Sequence, residues 1–225
     1  ARGVREYTVS RDAELASIDA MLAAKQGCRV VWGDYGSGKT HLLEAAEQLA
    51  LERGYAVVRV TLDPVEYGLH HPLRLYQASA DRVRTLEHAQ PGIEHILDRL
   101  ADSEDHYRHD GRAASRFFSP YLCAVRFGVP LLTEYMGDYV RGLPLSIDVL
   151  NQCLQKVGWR GQSLLTMSDY RTYGRMYTHL IGTLAAWCQD AGLTGLALCF
   201  DEVERVDTLG SAERKLALEV FQHYA

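Results

Sequence analysis

Apolar residues recur with two different periods along the chain, and these periods predict alternating helices and strands. A helical spacing over residues 10–27, and again over residues 39–54, predicts two amphipathic helices. Short continuous apolar runs at 28–32, 56–61 and 196–200 instead predict buried strands. Strands that alternate with helices indicate an α/β domain with a parallel sheet flanked by helices.

A long stretch between the second and third predicted strands has helical patterns throughout. Pro91 opens one predicted helix, and shorter helices broken by glycine and proline follow over residues 118–157. An apolar stripe at helical spacing then runs from Tyr173 to Cys188. We therefore predict a large, mainly helical insertion over residues 63–192.

The segments on either side of this insertion, residues 1–62 and 193–225, are predicted to form the core of the domain. Ser10 is a candidate N-cap for the first helix, and Gly27 would end that helix. Ser211 can cap a final helix in the same way.

The most informative motif lies between the first predicted strand and the helix that follows it. Residues 33–40 read Gly-Asp-Tyr-Gly-Ser-Gly-Lys-Thr, which is the G-x-x-x-x-G-K-[ST] pattern of a phosphate-binding P-loop (Walker A). Backbone N–H groups at a helix N-terminus can surround a triphosphate only where side chains stay out of the way, which explains the glycines. Lys39 would reach the β- and γ-phosphates as a catalytic cation, and the Thr40 hydroxyl would bind Mg²⁺. The predicted nucleotide-binding residues are Gly33, Asp34, Tyr35, Gly36, Ser37, Gly38, Lys39, Thr40 and His41.

The third predicted strand ends in a second motif of nucleotide chemistry. Residues 196–202 read Leu-Ala-Leu-Cys-Phe-Asp-Glu, five apolar residues followed by two carboxylates, which is the Walker B pattern. Ligands of open α/β sheets collect at the carboxyl ends of the strands, so this end should lie beside the P-loop. Asp201 would hold Mg²⁺, and Glu202 would be the catalytic base that activates water. Glu204 is either a supporting carboxylate or a solvated loop residue.

Composition narrows the class of protein. The hydrophobic fraction of 47% and the charged fraction of 24% are typical of a globular chain, and no apolar run approaches the roughly 20 residues that span a bilayer. The start, Ala1-Arg2-Gly3, has no signal segment and no initiator Met, so we expect a trimmed chain, a cytoplasmic location and no membrane partner. Five cysteines without a C-x-x-C motif favour a reducing compartment.

Two clusters in the insertion have competing interpretations. Basic and aromatic residues alternate, as in single-stranded nucleic-acid sites, at Arg108, Arg112, Arg116, Phe117, Phe118, Tyr121, Arg126 and Phe127. The alternative is an amphipathic helix with a solvated arginine face, which the net charge of −5 favours. His70, His71, His106 and His109 invite a metal interpretation, but no Cys or carboxylate set completes it, so surface histidines are favoured.

Adjacent Asp201 and Glu202 favour the additional-strand ATPases among P-loop proteins, because guanine-specific and ABC-transporter motifs are absent from the sequence. Within this group, the motifs at residues 33–43 and 200–204, together with the long helical insert, resemble those of a family of bacterial P-loop ATPases. That family was long catalogued as a domain of unknown function and is associated with bacteriophage-exclusion (BREX) defence. It is similar to the origin-recognition and STAND side of the AAA+ group. Residues 9–15, Val-Ser-Arg-Asp-Ala-Glu-Leu, also look like the Gly-Arg-x-x-Glu-Leu box of those ATPases, with Ser10 in place of the Gly; there the box lies near the adenine.

The resemblance implies an AAA+-like ATPase that uses ATP or ADP with Mg²⁺. The expected activity is slow ATP hydrolysis, serving a switch or a DNA-associated motor in phage defence. Homo-oligomers and DNA, or a DNA-bound protein, are the implied partners. The alternatives are a STAND-like signalling ATPase and an interaction scaffold stabilised by the nucleotide. In the additional-strand arrangement a sensor strand lies between the P-loop and Walker B strands. No segment of the sequence is predicted to form it, so we expect either that more chain exists or that another segment fills the gap.

Overall fold

The computed structural model describes residues 11–88 and 90–224 of the chain. The helices and strands of this part are, in chain order, α1 (Asp12–Ala23), α2 (Lys39–Glu52), β1 (Ala56–Thr61), α3 (Pro72–Arg82), α4 (Glu94–Leu97), α5 (Glu104–Tyr107), α6 (Ser119–Phe127), α7 (Pro130–Val140), α8 (Ile147–Lys156), α9 (Gly174–Asp190), β2 (Leu196–Asp201) and α10 (Ser211–Tyr224). Short 3₁₀ helices occupy Asp98–Leu100, Met167–Tyr170 and Val203–Thr208.

The sheet of the described residues has two strands, β1 and β2, which pair in parallel. The register places Ala56 opposite Leu196 and Thr61 opposite Asp201, so both strands end at the same edge of the sheet. The fold is therefore α/β, with a small parallel sheet and many helices. The strands predicted at residues 56–61 and 196–200 are confirmed.

The prediction of a first strand at residues 28–32 is wrong. These residues are not part of a strand, and the side chains of Val30 and Trp32 are 72% and 90% exposed. Cys28, expected inside a buried strand, is exposed as well. A strand needs a neighbour to satisfy its backbone groups. Residues 28–32 pair with neither strand, and the edge of β2 that faces away from β1 has no partner among the described residues.

One face of the sheet is covered by α1 and α2. Ile18 and Leu22 from α1 pack with Leu42 and Leu49 from α2, and this layer rests on the two strands. Cys199 of β2 belongs to the same cluster, where burial raises the pKa of its thiol to about 12. The helical periodicity of both segments is thus explained by a single buried layer.

The ends of these two helices follow the local backbone. α2 ends before Gly54, which adopts a left-handed φ of 80° as the spacing predicts. α1, in contrast, ends at Ala23 because Lys25 already turns the chain with a left-handed φ of 56°, so Gly27 does not end the helix. Ser10, the predicted N-cap, lies outside the described residues.

The opposite face of the sheet is covered by the helical segment. Val58 and Val60 of β1 share one continuous core with α3, α9 and α10. The stripe that starts near Tyr173 forms α9, and its residues Tyr177, Leu180, Leu184 and Trp187 are buried, although Tyr173 itself is exposed. The breaks predicted within residues 118–157 separate α6, α7 and α8. The helix predicted after Pro91 is shorter than expected, since only α4 and one 3₁₀ turn form.

Candidate functional site

The N-terminus of α2 lies at the carboxyl end of the sheet. A tight turn connects α2 to β1, with Tyr55 N–H donating to Ala50 O at 3.0 Å, so the helix runs back along the strand. The 14 residues of α2 span about 21 Å and the 6 residues of β1 about 20 Å, so the start of the helix is level with the end of the strand. Arg59, late in β1, accordingly contacts Glu44, one helical turn after Thr40.

The loop at residues 33–40, called the 33–40 loop below, has a backbone that depends on glycine. Gly36 and Gly38 have left-handed φ values of 78° and 81°, which residues with a Cβ rarely adopt. A Cβ on either would meet open space, so backbone conformation alone explains these two glycines. A Cβ on Gly33 would instead lie 2.7 Å from Ser37 Oγ, so a larger residue at this position would displace the Ser37 side chain.

The Lys39 side chain binds the backbone at the start of its own loop. Its ammonium group donates to Gly33 O at 2.9 Å and to Asp34 O at 3.1 Å. Thr40, the predicted Mg²⁺ ligand, lies in the first turn of α2 and is exposed. Arg11, from the segment that resembles the Gly-Arg-x-x-Glu-Leu box, donates to Ser37 O at 2.5 Å and joins α1 to the loop.

The other predicted binding residues point outward. Asp34 and Tyr35 are exposed at the tip of the loop, with Tyr35 fully accessible. His41 is also exposed, and its Nδ1 lies 3.6 Å from a carboxylate oxygen of Glu44. The structure thus gathers residues 33–41 at one exposed turn, and the carboxyl ends of β1 and β2 lie on the same side of the molecule.

Asp201 and Glu202 follow each other at the end of β2 but have different surroundings. Asp201 Oδ1 accepts a hydrogen bond of 3.0 Å from the Glu202 N–H. Glu202 has a left-handed φ of 61°, which costs a residue with a side chain about 1–2 kcal/mol. This conformation turns the chain sharply at the end of the strand. The two carboxylates also have different partners, which are Arg59 for Asp201 and Arg205 for Glu202.

A charge network that the sequence analysis missed connects α2 to both strands. Arg59 donates to Glu44 Oε1 at 3.1 Å and lies 3.7 Å from Glu47 and 3.6 Å from Asp201. Burial opposes the charge on Arg59, but its hydrogen bond with Glu44 and the charges of the other two carboxylates together raise its pKa. The buried Glu47 also forms an ion pair with Arg84. The pattern of apolar and polar residues along β1 could not identify Arg59 as a site residue, because the partners of Arg59 come from distant segments.

Arg205 is the second site residue that the sequence analysis missed. It binds Glu202 and also Asp63, in the loop after β1, with both distances 3.0 Å. An open groove at this edge of the sheet is lined by Arg59, Thr61, Asp63, Tyr67, Arg82 and Arg205. Glu204 is exposed and makes no ion pair within the described residues. The solvated interpretation of Glu204 is therefore the one that the contacts favour.

Most of the basic and aromatic residues between 108 and 127 have partners within the protein. Phe117, Phe118 and Tyr121 are buried in the core, so they cannot stack on bases, whereas Phe127 is 52% exposed. Arg108 and Arg112 are paired with Asp110 and Asp105. Likewise, Arg126 pairs with Asp102, and Arg116 donates to the Ser163 carbonyl. The pattern arises from an amphipathic segment whose aromatic face packs inward.

The histidines also differ from the surface positions that were favoured. His70 and His106 are buried, at 5% and 6% exposure, so that expectation is wrong for both. His106 lies between Ser103 Oγ at 2.7 Å and Asp190 Oδ2 at 2.9 Å, which supplies the partners that a buried imidazole needs. Within residues 11–88 and 90–224, no group of three or more His, Cys, Asp and Glu side chains could hold a metal ion.

None of the helices in this part of the chain is long and apolar enough to cross a membrane.

Comparison with known proteins identifies the family. The family model described as "BREX system ATP-binding protein BrxC/D" matches residues 1–115, about half of the 225-residue chain. The chain belongs to this family. The match contains the 33–40 loop and β1, and it ends before Asp201 and Glu202. The resemblance to BREX-associated ATPases is thereby confirmed. No curated protein and no solved structure matches the chain.

Proposed function

We propose that this chain binds Mg-ATP through the 33–40 loop and hydrolyses it slowly, as an ATP-dependent switch in phage defence. The observation that carries the proposal is the packing of α2 against β1 and β2, since it brings the 33–40 loop to the carboxyl end of the sheet. Asp201 and Glu202 leave the sheet at that same end. Membership of an ATP-binding family supports the nucleotide as the ligand.

Each proposed role follows from the chemistry of its position. The N–H groups at the start of α2 would face the phosphates, at a helix N-terminus where the helix dipole also favours negative charge. Lys39 exchanges its two carbonyl partners for β- and γ-phosphate oxygens, and Glu202 takes a proton from the attacking water.

The same positions fit a Mg²⁺ ion that arrives with the nucleotide. Protein-bound Mg²⁺ usually keeps several waters and takes only one or two carboxylates together with substrate phosphates. The Thr40 hydroxyl and the Asp201 carboxylate would be its protein ligands. A site of this kind does not need a preformed cluster of acidic side chains. Bound in this way, the ion would neutralise charge that develops on the phosphates.

Slow turnover is part of the proposal. An arginine finger contributes roughly 10³–10⁵ to the rate of comparable enzymes, and we assign none here. Arg59 and Arg205, which contact Asp201 and Glu202, are each also engaged by a further carboxylate. We therefore expect turnover well below one per second.

The experiment compares ATP binding and phosphate release for wild type, Glu202→Gln and Glu204→Gln. The Glu202→Gln amide keeps the shape but cannot accept the proton, so turnover should fall on the order of a hundredfold or more while ATP still binds. Glu204→Gln removes a neighbouring exposed carboxylate and should leave both properties unchanged. Equal turnover in wild type and Glu202→Gln would contradict the role of Glu202.

A further inference from the structure

Arg205 connects the loops that follow the two strands. Its Nε donates to Glu202 Oε2, and its Nη1 donates to Asp63 Oδ2, each at 3.0 Å. Asp63 is itself fixed, because its Oδ1 accepts hydrogen bonds from the N–H groups of Val65 at 2.8 Å and Glu66 at 3.0 Å. A planar guanidinium has donors on more than one edge, so it can hold two carboxylates in one fixed arrangement.

The local backbone brings Glu202 and Arg205 together. Val203–Thr208 is a 3₁₀ helix with Glu202 at its N-cap, and in such a helix residues three apart eclipse each other. The Glu202 backbone is restrained by its hydrogen bond to Asp201, and its carboxylate is restrained by Arg205. The backbone of Glu202 is therefore held by Asp201, and its carboxylate by Arg205.

We propose that Arg205 is a positioning residue for ATP hydrolysis, which holds the Glu202 carboxylate in place and uses Asp63 as its anchor. The inference rests on the proposed function, because it requires Glu202 to be the base. Arg205 would act through Glu202 rather than on the nucleotide, since the two edges of its guanidinium already bind carboxylates.

The solvent exposure of Arg205, Glu202 and Asp63 favours a positioning role over a role in stabilising the fold. Arg205 is 43% exposed, Glu202 38% and Asp63 37%. Ion pairs with this much access to water contribute little to folding, because solvent screens the charges and the long side chains lose entropy. Loss of Arg205 should therefore be seen in turnover, with the fold and nucleotide binding preserved.

The test compares Arg205→Ala, Arg205→Lys and the control Arg99→Ala, which removes an arginine from an ion pair of 2.7 Å with Glu87 in the helical segment. Phosphate release from radiolabelled ATP gives kcat and KM, and calorimetry gives ATP affinity. We expect Arg205→Ala to lower kcat about tenfold to a hundredfold with KM unchanged, the scale of a misplaced catalytic group. Arg205→Lys keeps the charge but not the planar fork, so it should recover part of the rate. Arg99→Ala should behave as wild type.

Double variants provide the second readout. If Arg205 acts through Glu202, then Arg205→Ala should not change the residual rate of Glu202→Gln. Likewise, Asp63→Asn should lower kcat in the wild-type background but not in Arg205→Ala. The proposal is overturned if Arg205→Ala costs the same factor in both backgrounds of Glu202, or if it weakens ATP binding instead of kcat.

ATP binding and turnover of the wild-type protein show whether a failure concerns the positioning role of Arg205 or the proposed function itself. Failure of the folded wild-type protein to bind ATP would refute the proposed function itself. ATP binding without any turnover would overturn the positioning role while leaving nucleotide binding intact. Circular dichroism of each variant shows that a lost rate is not a lost fold, and Arg205→Lys serves as the conservative variant in that comparison.

Discussion

The guanidinium of Arg59, on β1, lies 3.6 Å from the carboxylate of Asp201, at the end of β2. The same guanidinium donates to Glu44 of α2 at 3.1 Å. One side chain therefore links the helix that follows the 33–40 loop to the proposed Mg²⁺ ligand. The arrangement of the candidate site depends on an arginine that belongs to neither nucleotide motif.

The contribution of Asp201 to Mg²⁺ binding can be measured directly. Asp201→Asn keeps the side-chain volume but loses the charge that attracts the ion. We expect ATP affinity in EDTA to be unchanged, and the gain in affinity on adding Mg²⁺ to fall by about tenfold, or about 1.4 kcal/mol. Asp207→Asn is the matched control, because that exposed carboxylate lies on the 3₁₀ helix after β2. An unaltered Mg²⁺ effect in Asp201→Asn would contradict the assignment.

Glu47 should be important for stability rather than for nucleotide binding. It is 6% exposed and forms ion pairs with Arg84 and Arg59. Glu47→Gln removes the carboxylate that pairs with Arg84, whereas Arg59 keeps Glu44 and Asp201, and we expect the free energy of unfolding to fall by about 1–3 kcal/mol in urea titrations. Glu219→Gln, at an exposed site on α10, should change it by less than about 0.5 kcal/mol. Equal stabilities of the two variants would show that the buried ion pairs contribute nothing.

Cysteine reactivity tests the structure of residues 28–32. Cys28 is exposed, whereas Cys123, Cys188 and Cys199 are buried. Burial also raises the pKa of the Cys199 thiol to about 12, which leaves little reactive thiolate at neutral pH. In native protein, a thiol reagent should therefore modify Cys28 rapidly, and Cys28→Ser should remove this fast phase. Slow modification of Cys28 would instead indicate that residues 28–32 form a buried strand.

The paired arginines of the insertion lead to a prediction about DNA. Arg112 and Arg116 are engaged by Asp105 and by the Ser163 carbonyl. The double variant Arg112→Ala, Arg116→Ala should therefore bind single- and double-stranded DNA no differently from wild type across a salt series. Weaker binding with a shallower salt dependence would show that these arginines contact phosphates.

Elements with a local signal could be predicted from the sequence. Helical spacing predicts α2 and α9, and apolar runs predict β1 and β2, because each of these segments packs against one of the two cores on either face of the sheet. The glycines of the 33–40 loop were found for the same reason, since left-handed backbone at Gly36 and Gly38 is a property of single residues.

Structural features that depend on distant partners could not be predicted from the sequence. Residues 28–32 have the composition of a strand, but strand formation needs an adjacent edge, which no sequence window contains. The burial of His70 and His106 could not be predicted, because it depends on which helices pack against them. Arg59 and Arg205 were missed because their partners lie in segments far apart in the chain.

The central claim is that the 33–40 loop is the nucleotide site, and Lys39→Ala tests it most directly. Calorimetric titration with Mg-ATP should compare this variant with wild type and with Lys215→Ala, an exposed lysine on α10. Loss of the cation that faces the β- and γ-phosphates should abolish most binding, a fall in affinity of about tenfold to a hundredfold, while Lys215→Ala binds normally. Unchanged affinity in a folded Lys39→Ala protein would contradict the account.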